Sequence, residues 1–267
     1  MKSVIFNKLT CLFTLAALLL PCTPSSAGLR VAIWGDENTN LTDVQSKISG
    51  AGSFAAVDIV NIDTKPVPTL AEALKYHSII IHGGTEGWGT TVSKEAGDIL
   101  ADYADAGGGI VTCTFVLGSN YGSWILRGRF NDERYHVMVP VQSQASGHHT
   151  LGTVYHPDHP IMEGVNSFDG GSSSYKVPIT DLTTGSTLIA DWSNGRPLVA
   201  IKDLPDMGRR VDLNFYPPSS DVRDDFWTVG TDGDILLANA VTWAAPEPGT
   251  VLVLGLGGLG LIRNRKQ

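Results

Sequence analysis

Four short apolar runs separated by helix-length segments constrain this chain more than any other feature. Leu29 to Trp34 reads LRVAIW, Ala56 to Ile62 reads AVDIVNI, Ser78 to Ile81 reads SIII and Ile110 to Phe115 reads IVTCTF. Near-continuous apolar strands are buried on both faces, the condition of a parallel sheet covered by helices. The intervening segments supply those helices: Leu41 to Ile48 led by Asn40 or Thr42 as cap, Thr69 to Tyr76 after Pro68, and Thr91 to Ala106 with apolar residues at 92, 96, 99, 100 and 103. Alternation at this spacing predicts an α/β fold of βαβ units with right-handed crossovers. Ligands of such sheets bind in the loops at the carboxyl ends of the strands, here Gly35 to Asn38, His82 to Trp88 and Thr114 to Tyr121.

After Asn120 the pattern turns β-rich. Strand-like runs are predicted at Val137 to Val141, Thr153 to Tyr155, Leu188 to Trp192, Leu198 to Ile201 and Arg210 to Phe215. Asn194-Gly195 between the third and fourth of these is a hairpin signal. Asp232-Gly233-Asp234 leads an apolar helix, Ile235 to Ala245, with carboxylates at the positive end of its dipole.

Both ends carry targeting features. Lys2 and Lys8 precede the apolar stretch Leu12 to Leu20, then Pro21 and the small residues Ser25-Ser26-Ala27, the layout of a secretory signal peptide (residues 1–27) cleaved after Ala27. A lipoprotein site at Cys22 fits badly with Pro21 before it. At the other end Pro246-Glu247-Pro248 precedes an apolar run, Gly249 to Ile262, and the basic close Arg263-Asn264-Arg265-Lys266. As a helix that run is roughly 21 Å long against a bilayer core of about 30 Å, so it would span only with local thinning and snorkelling cations.

These signals bound the folded part to residues 28–245, with 14 Lys+Arg against 26 Asp+Glu. So acidic a surface disfavours nucleic acid and anionic lipid. Of three cysteines only Cys113 lies outside the signal peptide, which excludes an intrachain disulfide and a cysteine-based zinc site. No cofactor is called for.

In order and position the tail, residues 246–267, resembles the PEP-CTERM sorting signal of exported bacterial proteins. The resemblance implies export through the secretory translocon and inner-membrane anchoring by the C-terminal helix. An exosortase-like enzyme would then process the chain at Pro246, Glu247 and Pro248, delivering it to the cell surface or the medium, in an exopolysaccharide setting. The intervening domain resembles the class I glutamine amidotransferase-like superfamily, more narrowly its trehalose-utilisation-type branch. The residues that carry this likeness are Ile79-Ile80-Ile81-His82-Gly83-Gly84, Leu100 to Val111, His159-Pro160-Ile161-Met162-Glu163-Gly164-Val165, Trp227-Thr228-Val229-Gly230 and Leu236 to Val241. It implies a flavodoxin-like three-layer sandwich with a mostly parallel central sheet plus a β-rich C-terminal half.

The family's enzymes carry a nucleophilic cysteine at a tight strand-to-helix elbow, activated by a histidine. Here the register puts Thr114 at the elbow, turns Cys113 to the opposite face and follows with Phe115 and Val116 rather than a small residue. Cys113 therefore reads as a buried structural residue. For acid/base work the candidates are His82 and Glu86, in one loop at the carboxyl edge, with Asp36 and Glu37 nearby and Trp34, Trp88, Tyr121 and Trp124 as aromatic neighbours. His156, Asp158 and His159 have the residue types of a metal set, but the phrase equally reads as a turn, and no metal is expected; His148-His149 would need an unusual bend to share one ion.

Three readings follow: a non-catalytic surface or matrix component, a hydrolase acting on a carbohydrate or amide in the cleft, and an accessory subunit whose acidic face docks a basic partner.

Overall fold

A computed structural model describes residues 28–83, 88–118 and 125–246. The signal-peptide residues, Glu86, Tyr121, Trp124, Glu247, Pro248 and the apolar run Gly249 to Ile262 lie outside them. Among the described residues no helix is long and apolar enough to cross a membrane.

The elements follow the order β1 (Arg30–Gly35), α1 (Asn38–Ala51), β2 (Ala56–Asn61), α2 (Leu70–Ala73), β3 (Ser78–Ile81), α3 (Gly89–Asp105), β4 (Gly109–Cys113), β5 (Leu151–Val154), β6 (Ser186–Trp192), β7 (Pro197–Lys202), β8 (Arg210–Leu213) and α4 (Gly233–Ala244). The described residues form one sheet of eight strands in the order β2-β1-β3-β4-β8-β7-β6-β5. The first five are mutually parallel, and β7, β6 and β5 extend the sheet antiparallel. This is the flavodoxin-like arrangement, with the reversal of strand order falling between β1 and β3.

Alternation along the strands sorts side chains into two cores. Val31, Ile33, Ile80, Val111 and Cys113 face α1 and α4, whereas Ala32, Trp34, Ile79, Ile81 and Ile110 face α2 and α3. Thr69 and Glu72 form a reciprocal capping box that starts α2. Helix α1 begins earlier than the sequence suggests: Glu37 takes the cap position at φ 54° and Asn38 opens the helix. Asn40 and Thr42 fall inside it, and Asn40 is buried with a tertiary task described below.

One predicted strand is absent. Val137 to Val141 makes only isolated bridges, Met138 to Leu182 and Val141 to Gly118. The backbone amides that a strand would need are taken by a side chain: Asp212 Oδ2 accepts from Val137 N at 3.2 Å and Met138 N at 2.9 Å. The reason lies in β8, where Val211 and Leu213 enter the core beside α4 while Arg210, Asp212 and the following Asn214 face the other way, all buried. Arg210 donates to Tyr135 O at 2.8 Å and Thr112 Oγ1 at 2.7 Å. Asn214 holds Val177 in both directions, accepting from its N–H and donating to its C=O at 2.8 Å each. Two polar side chains of β8 and Asn214 just beyond it thus fasten short 3-10 turns and irregular chain against the sheet.

Candidate functional site

The carboxyl ends of β1 and β3 flank the strand-order reversal, with those of β4 and β8 alongside. Gly35 closes β1, and a Cβ there would lie 2.8 Å from His82 O, so the approach of β1 to the end of β3 requires glycine. His82 donates its N–H to Trp34 O at 3.2 Å and is fully buried. Its imidazole packs edge-on against the Tyr216 ring, with centroids 5.8 Å apart. Nδ1 lies 3.5 Å from Gly83 O, and Nε2 has no hydrogen-bond partner among the described residues. Burial lowers the His82 pKa to about 4, the backbone carbonyl of Gly83 and the Glu37 charge opposing only in part. The ring is therefore neutral at ordinary pH.

Beside it Asn40 donates from Nδ2 to both the Glu37 carboxylate and Tyr216 Oη, the latter at 2.8 Å. Burial, followed by the charges of Glu37 and Asp36, pushes the Tyr216 phenol above its ordinary value. Asp36 is itself buried. A neutral imidazole, a neutral phenol and two carboxylate-bearing residues make a polar site that disfavours anions and suits uncharged or cationic groups.

Its wall is aromatic. Phe115, Tyr216, Phe226 and Tyr175 pack on one another with centroids 5.0–6.3 Å apart. Arg223 lies 4.2 Å over the Phe226 ring and is paired with Asp225. Only about 10 Å³ of space is left among Tyr175, Phe215, Tyr216, Phe226 and Trp227, so these rings are a closed wall rather than an open stacking platform.

The residues at the end of β4 are both buried. Thr114 is buried and donates from Oγ1 to Asn214 Oδ1 at 3.3 Å. Cys113 points into the core shared by α1 and α4, fully buried, and its thiol is raised well above its ordinary value by burial and then by the Asp212 charge. Trp34 and Trp88 belong to the core beneath α3. His159 caps the short 3-10 helix Pro160–Met162, its Nδ1 accepting from Ile161 N at 3.2 Å, and its ring rests 5.1 Å from Trp243 at the far end of α4. His148 pairs with Asp169, and His149 lies 3.3 Å from Asn194 Nδ2. No group of three His, Cys, Asp or Glu suited to a metal occurs among the described residues. Sequence reasoning missed Asn40, Asn214 and Tyr216; the alternating polar positions of Arg210, Asp212 and Asn214 in an otherwise apolar run are a signal that could have found one of them.

Comparison with known proteins bears on the fold and on the tail. The PEP-CTERM protein-sorting motif matches residues 244–266. No curated protein matches the chain. Among solved structures, a ThuA-like protein of Bacteroides uniformis superposes with a TM-score of 0.56 at 15% identity, over 84% of this chain and 95% of that one. The glutaminase domain of Trypanosoma brucei CTPS gives 0.42 at 12% identity over 82% and 95%. Agd3, a carbohydrate deacetylase, gives 0.46 at 12% over 83% and 33%. The first of these shows the fold. The sorting motif marks the chain for export, membrane anchoring and exosortase processing, and the chain thus joins a PEP-CTERM tail to a domain whose fold is similar to that of a ThuA-like protein.

Proposed function

We propose that this is a cell-surface or extracellular-matrix protein whose domain, residues 28–245 between a signal peptide and a sorting tail at 246–267, binds its ligand at the carboxyl edge without turning it over. The observation that carries this reading is the β4 terminus. The elbow residue is Thr114, tied to Asn214, and the neighbouring thiol of Cys113 is buried on the other face with its pKa raised. A thiol held in its protonated form and buried in the core is a poor nucleophile. The setting expected for the ligand is exopolysaccharide, and the polar, anion-disfavouring cluster at the carboxyl edge accords with an uncharged polyol.

The test is to assay the exported protein for ammonia release from glutamine and for labelling by a thiol-directed electrophile. Neither ammonia nor labelling of the folded protein is expected. Ammonia release abolished by Cys113→Ser would overturn the reading. The hydrolase alternative rests on His82, a neutral base whose Nε2 has no hydrogen-bond partner among the described residues. It predicts turnover of a glycoside or amide that His82→Gln abolishes with the fold intact.

A further inference from the structure

We infer that, while the chain is tethered, its domain lies with the amino edge of the sheet against the bilayer, so that the His82 site faces outward. This rests on the tethering read from the sorting motif. It is carried by where and how α4 ends.

The C-terminal turn of α4 is seated at the amino edge. A Cβ on Gly109, the first residue of β4, would lie 2.0 Å from Ala244 O, which leaves no room between helix end and strand start. Trp243 is held from both sides, by the Arg209 guanidinium 5.0 Å over its ring and by His159 at 5.1 Å. Arg209 also donates to Trp243 O at 3.4 Å. The tail therefore leaves from a fixed point. From Ala244 to Gly249, where the apolar run begins, is five residue steps, a reach of at most roughly 18 Å when fully extended. So short a tether keeps the amino edge at the membrane surface. The chain's other end emerges on the same side, since Leu29 precedes β1.

The surface beside the exit suits a lipid headgroup layer. Gly109 N donates to His77 O, and His77 N to Arg30 O, which places the α2–β3 corner next to the helix end. At that corner Leu74 is 49% exposed, Lys75 is exposed and Tyr76 is half-buried beneath the Arg30 guanidinium. An apolar side chain, a tyrosine and a snorkelling lysine are interfacial types. Val139, Tyr155 and Val229 also expose apolar surface, and Val229, shortly before the start of α4, marks the opposite edge. A six-residue strand such as β1 spans roughly 20 Å, so the two edges are distinguishable by depth.

The test uses residues 28–267, the chain left by signal-peptide cleavage, carrying either Lys75→Cys or Val229→Cys with a fluorophore on the new thiol. It is reconstituted into phosphatidylethanolamine and phosphatidylglycerol vesicles bearing a short-range headgroup quencher; the parent without a new thiol measures any labelling of Cys113. Loss of fluorescence at position 75 and not at 229 is expected, and a Gly/Ser linker inserted between Ala245 and Pro246 should abolish the difference. Equal quenching, stronger quenching at 229, or a difference that survives the linker would overturn the inference. Chains that do not float with the vesicles would instead overturn the tethering beneath it.

Discussion

Asp212 carries more of this molecule than any residue singled out by its chemistry. Its carboxylate is buried, 3.7 Å from Arg210 and bonded to two backbone amides. Burial raises its pKa against the pull of Arg210 and those amides, and lowers that of Arg210 to about 10. Removing one member leaves the other charge uncompensated in the interior, a loss of about 3–5 kcal/mol. Asp212→Ala should therefore lower the urea midpoint sharply, and a double Arg210→Met, Asp212→Asn variant should lose less than the two single losses summed.

His82 makes a second prediction at this scale. Its folded pKa of about 4 lies below the ordinary 6.5, so the unfolded chain takes up a proton first as pH falls. Stability is complete above the unfolded value and is lost progressively as pH drops toward the folded one, by roughly 3 kcal/mol at most for this group. His136, likewise lowered to about 4 by burial, acts in the same direction. Unfolding midpoints across that window should slope downward with acid, and His82→Gln should flatten the slope.

At the scale of elements, sequence pattern and packing part company in informative places. The strands of the first half are legible because Val31, Ile33 and Ile80 point to one core while Ala32, Trp34 and Ile79 point to the other. The hairpin at Asn194-Gly195 is also as the sequence suggests, with β6 antiparallel to β7 and Gly195 at φ 75°. The predicted strand at Val137 to Val141 fails because apolar side chains reveal burial, whereas pairing depends on which partner claims the backbone amides. Gly97 in α3 is a similar case. Helix propensity favours alanine there by about 1 kcal/mol, yet a Cβ would lie 1.9 Å from Arg127 O. The backbone of residues 125–131 cannot yield as a flexible side chain would, so Gly97→Ala should lower the melting temperature, by an overpacking cost of about 1–3 kcal/mol.

For the molecule as a whole, the polarity of the sheet separates two tasks. Membrane targeting leaves from the amino edge through α4, and the polar cluster of His82, Asn40 and Tyr216 occupies the carboxyl edge. Processing should then proceed without disturbing the site. Intact-mass measurement of the protein recovered from envelope and medium should show loss of the tail near Pro246-Glu247-Pro248 only in cells that contain an exosortase. Replacing Pro246, Glu247 and Pro248 with alanine should leave the tail in place. A tail retained whether or not the enzyme is present would sink the processing claim.

The sequence by itself determined the layer order and the sorting tail, because each is a local pattern: a period, and a tripeptide beside an apolar run. It also turned Cys113 and Thr114 to opposite faces, since alternation along a strand is local too. Only the tertiary structure decided that Asn40, within α1, and Tyr216, beyond β8, meet through a hydrogen bond spanning 176 positions, with His82 against the same ring. The same is true of Asp212 replacing a strand partner for Val137 and Met138. Those contacts depend on the order in which strands pair, and the order is set by how the whole chain divides its apolar surface between two faces, information that no short window of residues contains.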